Sequence, residues 1–125
     1  MSYKLYTTYL SNMKKIPEGA RVAIIMRMPP ASILKMENTI HVEQLSPKKE
    51  VLFAYKENND WNTFVEKFKE QMYNDPETME YLNLLMEALE YNDVYLVCCE
   101  KDANECHRSL IAEYLNSLGY ESEEL

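Results

Sequence analysis

The sequence predicts a single α/β domain with a small, mostly parallel sheet covered by helices. Three observations predict it. Two short apolar runs, Val22-Ala23-Ile24-Ile25-Met26 and Val94-Tyr95-Leu96-Val97, read as strands buried on both faces. Amphipathic helical segments fill most of the chain between and after them. At 125 residues the chain has the length of one domain and can bury a core without staples.

The elements follow in order. Lys4 to Tyr9 alternates Leu5, Thr7 and Tyr9 against Tyr6 and Thr8, the pattern of a strand. Asn12 to Gly19 holds Pro17 and Gly19 and reads as a turn or short helical connector. The second strand runs from Arg21 to Arg27 and is stopped by Pro29-Pro30. Arg27 then sits at a strand's carboxyl end, where α/β proteins place ligand contacts. Ala31 to Leu45 is irregular, with His41 in a short extended piece between Ile40 and Val42.

Ser46-Pro47 reads as an N-cap with proline at the first helical position. Val51, Leu52 and Tyr55 form that helix's apolar side. Asp60 caps a second helix carrying Trp61, Phe64, Val65, Phe68 and Met72. Asp75-Pro76 opens a third, carrying Met79, Leu82, Leu85, Met86 and Leu89. The Val94 strand, read as far as Glu100, leads into a last helix with Leu110, Ile111, Tyr114, Leu115 and Leu118. Gly119 closes it. The domain is expected to span residues 1–120, with 121–125 a solvated acidic tail.

Composition excludes several classes. Two glycines rule out a long Gly-rich phosphate loop. The formal net charge of −8 argues against non-specific binding to a nucleic-acid backbone, though not against a local basic pocket. No apolar run is long enough to span a membrane, and the first residues lack a signal peptide's apolar region. The expectation is a cytoplasmic protein whose three cysteines are thiols.

Chemistry concentrates between Cys98 and Ser109. A strand ending in Cys98, Cys99 and Glu100 meets a helix opening with Cys106, His107, Arg108 and Ser109. Asp102 to Glu105 fits a variant capping box. The alternative helix start is Cys106 itself. Either start places a thiol near the positive end of the helix dipole and beside Arg108, which favours thiolate. The same groups suit a small anion. In this reading Cys106 or His107 is the reactive group and Glu100 the base or orienting carboxylate. Arg108, Arg27, Lys49, Cys98, Cys99 and Ser109 are candidate ligand contacts.

Each has a bland alternative: Cys98 as a small buried hydrophobe, Cys106 as part of an apolar stripe, Lys48 and Lys49 as a solvated helix start. Strand alternation favours Cys99 over Cys98 for function. A metal set of Cys99, Cys106 and His107, with His41 fourth, lacks the tight spacing of structural zinc sites, and no metal is expected. A binding or regulatory module for a protein or nucleic-acid partner is the alternative to an enzyme. A third reading has the motif only building the fold, with Arg108 and Glu100 as a buried ion pair.

Leu96-Val97-Cys98-Cys99-Glu100-Lys101-Asp102, followed by Cys106-His107-Arg108-Ser109-Leu110, resembles the signature of the domain of unknown function 488 family. Ile25-Met26-Arg27-Met28-Pro29, Leu45-Ser46-Pro47-Lys48-Lys49-Glu50-Val51-Leu52 and Trp61-Asn62-Thr63-Phe64 resemble other pieces of it. Lys48 stands where the family usually has Ser. The resemblance aligns Cys98 with the family's strand cysteine and Cys99 with a variable position. It implies a compact α/β fold. It implies no particular activity, cofactor or oligomeric state.

Overall fold

The computed structural model describes residues 3–125. Five strands form one parallel sheet: β1 (Leu5–Tyr9), β2 (Arg21–Ile24), β3 (Thr39–His41), β4 (Val94–Cys98) and β5 (Ser122–Glu124). Their spatial order is β3-β2-β4-β1-β5. The α/β class expected from sequence is the class observed. β4 is central and all five of its residues are buried, as its unbroken apolar run requires.

The helices are α1 (Ala31–Leu34), α2 (Lys49–Asn58), α3 (Trp61–Asn74), α4 (Pro76–Ala88) and α5 (His107–Ser117). One sheet face carries the main core. Leu5, Ala23, Val94, Leu96 and Cys98 pack there against Phe64, Phe68 and Met72 of α3, Leu82 and Leu85 of α4, and Leu110, Ile111 and Leu115 of α5. The other face is thinly covered. Val22, Ile24, Tyr95 and Val97 meet only Leu10 and Met13 of a 3₁₀ turn, Ile33 of α1 and a few neighbours.

This asymmetry follows from the connections. The chain moves outward from β1 to β2 to β3 over the thin face, then returns to β4 and on to β5 over the thick one. A single hand of crossover requires those two directions to use opposite faces. Neighbouring β1 and β4 therefore send their connections to opposite faces. Their carboxyl ends, Tyr9 beside Cys98, lie at the topological reversal where open α/β sheets place ligands.

Local chemistry sets most boundaries. Asp60 accepts from the Thr63 N–H at 3.2 Å, and Asp75 from the Thr78 N–H at 3.1 Å, so both expected caps are made. Gly119 takes φ +97° just past α5. Several boundaries differ from expectation: β2 ends at Ile24, short of Arg27, β4 ends at Cys98, short of Glu100, and Ala31–Leu34 is helical in a stretch read as irregular. Ser46-Pro47 does not open α2; the helix starts at Lys49, and Ser46 instead ends a 3₁₀ turn. Asp102 caps a 3₁₀ turn, Ala103–Glu105, and Cys106 is the residue that caps α5. Finally, the acidic tail does not stand apart in solvent. Ser122–Glu124 pairs with Leu5–Thr7 as an edge strand.

Candidate functional site

Arg108 organises the carboxyl end of the sheet. It lies in the first turn of α5 and is fully buried. A buried guanidinium must find partners for all its donors, and these are all the protein's own. Nε and Nη2 meet the Glu124 carboxylate, the closest approach being 2.8 Å. Nη1 donates to Cys98 Sγ at 3.0 Å and to the Glu100 carbonyl, and Nη2 to the Lys101 carbonyl at 3.1 Å. The guanidinium also lies over the Tyr9 ring, 5.8 Å from its centre. One side chain thus ties β4, the loop after it, β5 and β1 together. The Arg108–Glu100 ion pair of the structural reading is replaced: Glu100 gives its carbonyl, its side chain is exposed, and Glu124 supplies the charge.

Cys98 and Cys106 are joined as a disulfide beneath this arginine, 0% and 2% exposed, which corrects the expectation of three thiols: only Cys99 is free among the described residues. Cys98 shares the α5-facing side of β4 with Val94 and Leu96. Strand alternation sends Cys99 to the surface, away from the other two. The thiol of Cys99 is pushed up from its ordinary value, by desolvation first and then by the Glu100 carboxylate. The structure thus joins Cys98, the position the family resemblance selects, to Cys106 and His107, and leaves Cys99, the position preferred from strand geometry, outside the cluster.

His107 is buried beside Cys106. Its Nε2 lies 2.7 Å from the Ile25 carbonyl, which can only accept, so Nε2 carries the proton. The neutral ring then presents a bare Nδ1, 3.8 Å from Cys106 Sγ. Burial is the main cause that drops the ring's pKa from 6.5 to about 4, with the Arg108 charge adding to it against the opposing Ile25 hydrogen bond. The edge of the His107 ring also packs against Phe68, centroids 5.4 Å apart. Ser109 turns its hydroxyl back to the Cys106 carbonyl at 2.8 Å and so fixes the start of α5.

The remaining expected contacts lie elsewhere. Arg27 donates to Glu43 at 3.0 Å and to the Pro47 carbonyl at 3.1 Å. It lines a separate polar groove of about 400 Å³ with Lys48, Gln71, Asp75 and Thr78. Lys49 is exposed at the start of α2, its Nζ over the Phe53 ring. His41 holds the Met26 carbonyl at 2.8 Å. The structure thus brings Cys98, Cys106, His107, Arg108 and the Glu100 backbone together. Arg27, Lys49, Cys99 and the Glu100 carboxylate do not join them.

Sequence reasoning missed three contributors. Glu124 gave no signal beyond its place in an acidic tail. The Ile25 carbonyl could not be read from side chains. The third is a buried polar knot: Gln71 donates to the Ser46 carbonyl at 2.9 Å, meets the Thr78 hydroxyl at 3.1 Å, and accepts from the Lys48 N–H at 3.0 Å. It joins α3 and α4 to the segment before α2, and only a polar residue on the apolar stripe of α3 hinted at it.

The DUF488-N3a family, described as the active DUF488-N3 subclade, matches residues 5–119. No curated protein and no solved structure matches the chain.

Proposed function

The chain belongs to the DUF488-N3a family, and on that premise we propose that it is a small enzyme whose chemistry is carried by sulfur at the carboxyl end of β4. With the Cys98–Cys106 disulfide reduced, Cys98 is the charged sulfur, Cys106 its partner thiol and His107 the neutral base facing Cys106. Arg108 is a positioning residue. The observation that carries this reading is the 3.0 Å approach of the Arg108 guanidinium to Cys98 Sγ inside the protein. A hydrogen bond from a cation in a low-dielectric site stabilises negative charge on the acceptor. A buried guanidinium spent on a sulfur and on backbone carbonyls costs desolvation that a purely structural contact could avoid with apolar residues. The family's description as active supports catalysis over a passive binding module.

The small anionic ligand expected from sequence finds no free guanidinium here. Arg108 and Arg27 spend theirs on Glu124 and Glu43. Glu100, Asp102 and Glu105 line the loop above the sulfurs, close enough to raise the Tyr55 pKa after desolvation has done most of that work. That acidic lip repels anions and suits a neutral or cationic ligand. It gives a nucleic-acid partner no basic surface. Among the described residues no helix is long and apolar enough to cross a membrane. A reducing cytoplasmic setting would keep the pair as thiols.

The test is the ultraviolet thiolate absorbance of reduced, chelator-treated Cys99→Ser protein. One thiolate is expected at neutral pH, and adding Cys98→Ser removes it. Two ordinary thiols, protonated until alkaline pH, would sink the reading.

A further inference from the structure

We infer that Cys98, Cys106 and His107 form a binding site for one divalent, zinc-type metal ion. The proposal rests on the sulfur-centred reading above and deepens it. Sγ of Cys98, Sγ of Cys106 and a ring nitrogen of His107 all lie within 4.8 Å of one another. Metal–sulfur bonds of about 2.3 Å and metal–nitrogen bonds of about 2.0 Å at tetrahedral angles separate such donors by roughly 3.5–3.8 Å. Once the Cys98–Cys106 disulfide is reduced, side-chain rotations can bring the three donors to that spacing.

Three further features fit a metal better than a bare thiol pair. First, the Cα atoms of Cys98 and Cys106 stand 7.5 Å apart. That is wider than the roughly 4.4–6.8 Å usual for a disulfide, and an ion held between the two reduced sulfurs suits it better. Second, His107 is already oriented as metal-bound histidines are. Nε2–H is held by the Ile25 carbonyl, and the bare Nδ1 faces the Cys106 sulfur. Third, the charges balance. Two thiolates neutralise a divalent ion, and the Arg108 charge on Cys98 is met by Glu124, so the guanidinium acts as an outer hydrogen-bond donor to a ligating sulfur. The acidic residues of the neighbouring loop favour the approach of a cation.

The Cys98–Cys106 disulfide is first reduced by two equivalents of a small thiol, which leave as their own disulfide; the two protein thiols plus M²⁺ then give the bis-thiolate complex and two protons released to water. A sulfur already ionised releases none. Three protein ligands leave one tetrahedral position for water or a ligand atom, the pattern of catalytic rather than structural zinc sites. Cys99, on the other side of β4, takes no part.

The experiment is a cobalt(II) titration of reduced, chelator-stripped full-length protein, with zinc content measured on the same preparation before stripping. One cobalt per chain is expected, with the strong visible bands of a tetrahedral site and a sulfur-to-cobalt charge-transfer band. Cys99→Ser keeps both. Cys106→Ser lowers the charge-transfer intensity by about half and weakens binding at least tenfold. Serine is a good N-cap, so that variant retains its helix start, and circular dichroism checks it. His107→Asn weakens binding while both sulfur bands remain. The proposal is overturned if folded protein gives no cobalt spectrum, if Cys99→Ser abolishes the spectrum, or if Cys106→Ser leaves it unchanged. Neutral-pH thiolate absorbance without any cobalt spectrum would overturn the metal and leave the sulfur-centred function standing.

Discussion

Arg108→Met is expected to lower the unfolding free energy by about 3–4 kcal/mol. The range for breaking a buried ion pair by removing one partner is about 3–5 kcal/mol. The lower part applies because the Glu124 side chain is 38% exposed and can rehydrate, while Arg108 is 0% exposed. The carbonyls of Glu100 and Lys101 also lose their donor, but both residues are exposed and water can replace it, so they add little. Glu124→Gln should be nearly as harmful, since it strands the guanidinium rather than the carboxylate. Arg27→Met is the control. Its partner Glu43 is 54% exposed, and such pairs contribute about 1 kcal/mol or less. Urea melts of the three variants decide the matter. Equal effects at Arg27 and Arg108 would mean that burial of Arg108 is not what holds the carboxyl edge.

The second large effect is a loss of stability in mild acid that traces to His107. The unfolded ring takes up a proton near 6.5, whereas the folded ring does so only at about 4. Between those values the unfolded state binds more protons, so stability falls as pH falls. The contribution is intact above about 6.5, declines through the window and is gone below about 4. At 1.36 kcal/mol per unit the full loss is about 3 kcal/mol. Chelator keeps the ring free of metal during the measurement. His107→Asn cannot gain the proton, so its urea midpoint should change much less between about pH 7 and about pH 5. A parent protein with the same flat profile would contradict the buried, neutral ring.

Much of the fold is legible in the sequence because its signals are local. Val94 to Val97 is apolar without interruption, and it is the central strand. Asp60, Asp75-Pro76 and Gly119 name three helix boundaries through side-chain and backbone chemistry that needs no tertiary partner. Cys106 as the true start of α5 was one of two readings open. The structure selects it because Asp102 is used one turn earlier, on Asn104. What escaped is long-range. Ser122-Glu123-Glu124 has no strand propensity. It becomes a strand because β1 presents an open edge and Arg108 draws in Glu124 from 16 residues away.

The structure brings together only part of the residue set expected from sequence. The density of thiol, imidazole and guanidinium between Cys98 and Arg108 in the sequence coincides with the cluster of Cys98, Cys106, His107 and Arg108 in the structure. Strand alternation makes Cys98 and Cys99 face opposite ways, but does not say which way is inward. The apolar parity of Val94 and Leu96 does, and it selects Cys98. The sequence reading places Arg27 at a strand's carboxyl end; β2 stops at Ile24, and Arg27 lies in the bend beyond it, claimed by Glu43 and Pro47. No spacing rule in the sequence foretells that pairing.

The account depends on Arg108 being spent on the protein's own groups, leaving the sulfurs as the reactive element. The chain has three arginines, Arg21, Arg27 and Arg108, so their Nε–H signals can be assigned by single substitution in ¹⁵N-labelled protein. Hydrogen exchange at those signals is the most direct measurement. The account predicts one Nε–H protected by orders of magnitude relative to the other two, absent in Arg108→Lys and deprotected by Glu124→Gln. Three Nε–H groups exchanging alike, at the rate of free arginine, would contradict it.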